Sequence, residues 1–352
     1  MKTLIVPCAG KSSRFSGMPP KWLLKYPDGS LMVRKAMDGL PLNAYDRIIV
    51  TAVKEHVEAY DVNNKLDIAL QGLPCDYELC VLEEFTSCQA ETVYKTLKKF
   101  SVTGSFSVKD SDNYIKIKDS DNADFVAGVD MHKFPREIER LSSKSFLMVN
   151  DQGIITDIIE KKIVSQFISI GMYGFSSTDL FCEAFEHLAE TKGMANEIYL
   201  SHVISYLIGT KKSVYSYNEA DDYEDWGTKK DWYKVLKDKS TYFVNVEDII
   251  VKKNSDDETS IILNDENVEF LKTIFQKGSQ IILLSAQDQD YLSKIERKLG
   301  ESGIDIHASV SGCYLSHQRL FKSFSEEIPY PSCEAYNIKA DDRIGALIRE
   351  EE

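Results

Sequence analysis

Cations are in short supply in this chain of 352 residues: 42 Lys and Arg face 56 Asp and Glu, a formal charge of −14. That balance argues against a protein that coats nucleic acid or an anionic membrane, because phosphate polymers repel it. A small anion can still bind where a few Lys and Arg are focused locally. Long apolar runs are missing too. None approaches the ~18 residues of a membrane span, and Met1-Lys2 leads directly into an apolar stretch. The expectation is a cytoplasmic protein without a membrane span. The seven cysteines (Cys8, Cys75, Cys80, Cys88, Cys182, Cys313, Cys333) include no Cys-x-x-Cys pair and read as reduced, mostly buried small hydrophobes. The six histidines (His56, His132, His187, His202, His307, His317) lack zinc-like spacing and read as structural or solvated.

What is present is an ordinary globular composition, 43% hydrophobic and 28% charged. The length suggests two domains, since single cores rarely grow past about 250–300 residues. Leu4–Pro7, Arg47–Ala52, Tyr77–Leu82 and Phe106–Lys109 read as strands. Between them Leu31–Gly39, Val53–Tyr60 and Glu91–Phe100 have helical spacing. This β-α-β-α-β order predicts a mostly parallel sheet covered by helices on both faces, with ligands outside the carboxyl ends of the strands. A composition change near Lys237–Thr241 divides the chain into a first domain, 1–238, and a second, 241–352.

The first strand ends in Pro7-Cys8-Ala9-Gly10-Lys11-Ser12-Ser13-Arg14-Phe15, followed by Pro20-Lys21. A small-residue turn after a strand, then an Arg, then a Lys, suits a triphosphate. Backbone N–H groups and a helix N-terminus would face the phosphates, and two cations would neutralise them. Gly10-Lys11-Ser12 imitates the end of a Walker A loop, but position 5 is Ile where that motif needs Gly.

Two acidic sites lie downstream. Phe106–Lys109 runs into Asp110-Ser111-Asp112-Asn113, and two aspartates two residues apart can share one side of an extended segment. Such hard oxygen ligands suit Mg²⁺, although the same residues also make a common Asx turn. The second site is Glu224-Asp225-Trp226-Gly227-Thr228.

Together these residues resemble sugar-phosphate nucleotidyltransferases over roughly 1–236. The resemblance implies a Rossmann-like α/β fold of the GT-A kind, a mixed sheet with helices on both faces. It also implies Arg14 and Lys21 as catalytic cations. Pro7, Ala9, Gly10, Lys11, Ser12 and Ser13 would hold the nucleotide, with Ser87 and Gln89 near the base. Asp112 and Asp225 would hold Mg²⁺, with Asp110 an additional ligand or a neighbour of one. Asp151-Gln152-Gly153 followed by Glu160-Lys161 resembles the family's turn, strand and Glu-Lys pair. It makes Glu160 and Lys161 acceptor ligands, as Asn196-Glu197 makes Glu197. A solvated Glu-Lys pair, a helix cap at Ser87 and a helix start at Asn196 are the plain alternatives. Lys11-Ser12-Ser13 departs from the family, which usually has a second glycine in this turn. Pro7 is more typical of cytidylyltransferases than of thymidylyl enzymes, so the base stays open among C, U and T.

The C-terminal part resembles a haloacid dehalogenase-like phosphatase domain in pattern, a second and smaller α/β domain. Its first strand reads Phe243-Val244-Asn245-Val246-Glu247. Asn245 stands where that family has a nucleophilic Asp, and an amide cannot form an aspartyl-phosphate. Glu247 is one methylene longer than the expected acid, while Ser285 fits the family's second hydroxyl. The implied role is binding or bracing; an unrelated small α/β domain is the alternative.

The expected reaction is transfer of a nucleoside monophosphate from a pyrimidine triphosphate to a phosphorylated small molecule, with pyrophosphate released. The acceptor implied is a sugar 1-phosphate, as in making a precursor of capsule or another surface polysaccharide, by an enzyme that could be a homo-oligomer. A GT-A-type glycosyltransferase using Asp110-Ser111-Asp112, and a non-catalytic nucleotide-binding scaffold, are the competing readings.

Overall fold

In a computed structural model the described residues are all except 1, 27, 136, 137, 139, 193–196, 237, 238, 253–260, 315, 317, 322–332, 340, 341 and 347–352. They form two compact units. The larger comprises Met1–Lys25 with Ser30–Thr228, and the smaller Tyr26–Gly29 with Lys229–Glu352. Helix Lys229–Leu236 thus groups with the smaller unit. No helix among the described residues is long and apolar enough to cross a membrane.

The larger unit is built on a nine-stranded sheet. Its strands are β1 (Thr3–Pro7), β2 (Arg47–Val53), β3 (Tyr77–Leu82), β4 (Phe106–Lys109), β6 (Phe125–Asp130), β7 (Ser145–Val149), β8 (Ile154–Glu160), β9 (Phe167–Phe175) and β10 (Tyr215–Glu219). A separate ribbon pairs β5 (Asn113–Lys116) with β11 (Asp222–Asp225). The sheet order is β3-β2-β1-β4-β9-β6-β10-β8-β7. Strands β1 to β4 pair in parallel, whereas β9 runs antiparallel to both β4 and β6. The sheet is therefore mixed.

Both faces are covered, and the alternation along β1 shows how. Leu4 and Val6 enter one apolar cluster and Ile5 the other, as a period of two dictates. Helix Gln89–Lys99 buries Val93 and Leu97 on the Ile5 face. Helix Val62–Ala69 buries Val62 and Leu66 on the opposite one. The expected helix over Leu31–Gly39 is only Met32–Lys35, one turn long.

The smaller unit holds a parallel sheet of β12 (Thr241–Asn245), β13 (Gln280–Leu284) and β14 (Ala308–Val310). Its helices, Asp265–Gln276 and Gln289–Glu301, are started by side-chain caps. Asn264 accepts the Asn267 N–H, and Asp288 accepts the Tyr291 N–H at 2.9 Å. Asn245 ends the first strand, while Ser285 follows the second and donates to Glu247 Oε1. This is a small α/β unit.

Candidate active site

Because β1 to β4 run in parallel, the segments after Pro7, Leu82 and Lys109 leave the same edge of the sheet. The segment after Pro7 corrects one expectation: no helix N-terminus follows the turn. The chain makes only a single 3-10 turn, Ser13–Phe15. Gly17, Pro19 and Pro20 explain this, since proline cannot continue a helix and restricts the residue before it. Ser12 adopts the left-handed conformation (φ 49°, ψ 34°) where the resembling family usually has glycine. Its Oγ accepts the Lys21 N–H at 3.4 Å, so the loop folds back onto the start of the next 3-10 turn, Lys21–Leu23. Around Gly10 the space is open, and a Cβ there would meet nothing within 4 Å. Lys11, Ser13 and Arg14 are exposed, and Ala9 is buried with its carbonyl accepting the Thr86 N–H.

Lys21 Nζ lies 2.5 Å from Asp112 Oδ2. Burial works against its charge, but Asp112 outweighs burial and the ammonium is held above its ordinary range. Burial likewise opposes ionisation of Asp112, and Lys21 overcomes it, so that carboxyl is lowered. The pair is therefore ionised at neutral pH.

The ribbon then joins the two acidic sites. Asn113 pairs with Asp225 across β5 and β11, and Trp226 donates its N–H to the Asp112 carbonyl at 2.9 Å. A Cβ added to Gly227 would lie 3.0 Å from Asp225 Oδ1 and 3.3 Å from Asp112 Oδ2. The two carboxylates thus flank one point, kept open by the missing side chain. Asp225 Oδ1 accepts the Gly227 N–H at 2.8 Å, while Oδ2 accepts Arg140 Nη2 at 2.9 Å and Lys144 Nζ.

Asp110 turns elsewhere. The chain bends at Ser111 and Asp112, so the extended segment expected here is not formed. Asp110 Oδ1 accepts from Gln89 Nε2, and its other oxygen packs against Gly171. Burial first, and then Asp112, raise Asp110 to about 6. Beside it Lys109 is fully buried and spends its ammonium on the Asp110 and Asn113 carbonyls, at 2.7 and 2.9 Å, and on Asn113 Oδ1. Burial lowers it to about 8.

Gln89 therefore meets Asp110, and Ser87 precedes the helix cap, Cys88, which makes no side-chain cap bond. The Ser87 N–H and hydroxyl donate to Glu91 Oε2 at 2.6 and 2.7 Å, a carboxylate in the first turn of helix Gln89–Lys99. The residues expected at the acceptor, Glu160, Lys161 and Glu197, all meet the segment around Tyr199 and Ser201. Strand β8 ends at Glu160, whose Oε2 accepts from Ser145 Oγ and, at 2.6 Å, from Ser201 Oγ. Lys161 donates to the Tyr199 hydroxyl, which donates to Glu197. Asn196 lies outside the described residues, and the helix there begins at Leu200.

The oxygen-only pair Asp112 and Asp225 fits a hard dication that keeps water and phosphate in its remaining positions. Among the described residues no three Asp, Glu, His or Cys side chains gather to hold a metal on their own.

No family model and no curated protein matches the chain. Solved structures do. A nucleoside-diphosphate-sugar pyrophosphorylase from Vibrio cholerae is similar with a TM-score of 0.56 and 21% identity, over 66% of this chain and 99% of that one. An inositol-1-phosphate CTP transferase from T. maritima has a TM-score of 0.52 and 15% identity, over 67% and 95%. A putative glucose-1-phosphate thymidylyltransferase from Bacillus anthracis has 0.53 and 18%, over 67% and 94%. The chain carries the nucleotidyltransferase fold.

On that fold the motif reading missed Lys144, Arg140, Lys109 and Glu91. Lys144 stands before the apolar run Ser145–Val149, and Arg140 outside any regular strand or α-helix. Neither has a local signature. Glu91 had one, since Ser87 and Glu91 flank a helix start four residues apart.

Proposed function

We propose that the chain is a nucleotidyltransferase, moving a nucleoside monophosphate from a triphosphate to a phosphorylated small molecule with release of pyrophosphate. The observation that carries this reading is the meeting of Lys21, Asp112 and Asp225, which lie in three separate motifs. The nucleotidyltransferase fold supports it.

In this reading the acceptor's phosphate oxygen attacks the α-phosphorus, and pyrophosphate leaves in line. Catalysis is positioning and charge stabilisation, without a covalent intermediate. Asp112 and Asp225 hold Mg²⁺, which when bound offsets the negative charge of the phosphates. Lys21 stabilises charge growing on the α-phosphate, and Arg14 holds the leaving pyrophosphate. Ala9 through Ser13 line the phosphates, Pro7 delivers the turn, and Asp110 orients Gln89 toward the base. Glu160, Lys161 and Glu197 take the acceptor: a carboxylate suits a hydroxyl, and an ammonium suits a phosphate. A glycosyl 1-phosphate is the favoured acceptor and a pyrimidine the favoured base. The smaller unit, with Asn245 at the end of β12, binds or braces and hydrolyses no phosphate ester.

Unfolding with Mg²⁺ and each of CTP, UTP, TTP, ATP and GTP tests the reading. A triphosphate at 100 times its dissociation constant stabilises by about 2.7 kcal/mol, a visible shift in midpoint. One pyrimidine triphosphate giving that shift, followed by pyrophosphate release with a glycosyl phosphate, is the expected result. A shift with a nucleotide sugar alone would replace the reading with glycosyl transfer.

A further inference from the structure

Three cations crowd two carboxylates at the centre of the site. Lys21 sits on Asp112, while Lys144 and Arg140 share Asp225 Oδ2. Holding Asp112 and Asp225 either side of one point costs Coulomb energy unless positive charge lies between or beside them. Here side chains of the protein supply it. A dication arriving at the same point meets three like charges, so at least one must withdraw from its carboxylate.

Lys144 is the cation with the least to lose. Asp225 keeps Arg140 when Lys144 leaves, whereas Lys21 is the ammonium whose charge dominates Asp112. Lys144 also has a second partner in place, because its Nζ donates to the Tyr223 hydroxyl at 2.8 Å and lies 5.4 Å from that ring's centre. Its side chain is 14% exposed, and a single flexible stem carries the charge where Arg140 carries a rigid fork. Its backbone joins the other half of the site. The Lys144 carbonyl accepts the Lys161 N–H at 3.0 Å, and the next residue, Ser145, holds Glu160.

We propose that Lys144 is a resident counter-ion of Asp225 that the divalent cation displaces, so that metal binding at Asp112 and Asp225 is an exchange for this ammonium. This rests on the nucleotidyl-transfer reading. The exchange keeps the two carboxylates together in the metal-free protein and weakens its affinity for free metal. It also leaves Lys144 charged and still bonded to the Tyr223 hydroxyl once the metal is bound.

Mn²⁺ binding to the full chain without nucleotide, followed by the paramagnetic signal of free Mn²⁺, is the test. Lys144→Met is expected to bind Mn²⁺ at least about fivefold tighter than wild type, the lower end of the coupling between competing ligands. Lys144→Arg should bind Mn²⁺ no tighter than wild type, because the charge remains and a guanidinium fork leaves a carboxylate less readily. Asp225→Asn should abolish the signal change in either background, which locates the ion. Lys144→Gln serves where circular dichroism shows Lys144→Met unfolded. Unchanged or weaker binding in the folded Met or Gln variant overturns the exchange, as does binding that survives Asp225→Asn. In both cases nucleotidyl transfer stands if wild type still binds a triphosphate. Absence of Mn²⁺ binding in every variant, with and without triphosphate, overturns both.

Discussion

Lys21→Met bears on the pair around which the site is organised. Lys21 Nζ and Asp112 Oδ2 are 2.5 Å apart, with side chains 28% and 17% exposed. Two unit charges about 4 Å apart attract by roughly 4 kcal/mol at an effective dielectric near 20, and desolvating both returns much of that. What remains for a charged hydrogen bond of this kind is about 1.5–3 kcal/mol. Methionine keeps most of the stem, so the loss is electrostatic rather than a cavity. The ligand-free larger unit should therefore unfold about 2 kcal/mol more easily, measured by denaturant titration. Turnover should fall further, by about 100- to 1,000-fold in kcat, because the proposed reaction would lose the oriented charge assigned to the reacting phosphate. Lys21→Arg separates the two losses: charge restores stability, while a planar fork in place of a compact ammonium leaves turnover low. The assay is pyrophosphate release at saturating substrates. Turnover of Lys21→Met within about threefold of wild type would refute the reasoning and leave Lys21 as a partner of Asp112 alone.

Two more predictions concern the loops around this pair. Ser12 holds φ 49° without being glycine. Ser12→Gly should relieve the left-handed strain of about 1–2 kcal/mol and lose part of it to greater freedom in the unfolded chain, for a net gain of about 0.5–1 kcal/mol. A lower unfolding midpoint would instead make the Ser12 hydroxyl's bond to Lys21 the larger effect. Asp110 is raised from 3.8 to about 6 by burial, with Asp112 adding to it. The protonated form is thus favoured by folding, and that contribution is complete below 3.8 and lost as pH rises through about 6. Asp110→Asn, which can still pair with Gln89 after its amide turns, should gain on wild type from about pH 4 to pH 7. Unfolding midpoints across that range check it, and a difference independent of pH would refute the raised carboxyl.

How far the sequence could be read depends on how far apart the partners lie. The strands at Tyr77–Leu82 and Phe106–Lys109 were legible to the residue, the first as a largely apolar run and the second as an apolar-polar alternation that ends at Asp110. The helix over Leu31–Gly39 was not. Its apolar spacing is real, but after one turn Leu40 and Leu42 are buried by turns rather than by a continuing helix. The helix after the first turn failed for a local reason that was present in Gly17-Met18-Pro19-Pro20, where two prolines forbid it. Lys21, Asp112 and Asp225, singled out from three separate motifs, lie near one another in the structure. The motifs were silent on Lys144, whose meaning comes only from the pairing of Asn113 with Asp225 and of Ser145 with Glu160. A lysine before an apolar strand is ordinary in sequence. Its neighbours appear only when two long-range pairings bring the Asp225 carboxylate to its ammonium and the Lys161 N–H to its carbonyl. Residues that position rather than react are for this reason the last to be read, since no single stretch of chain encodes both of their neighbours.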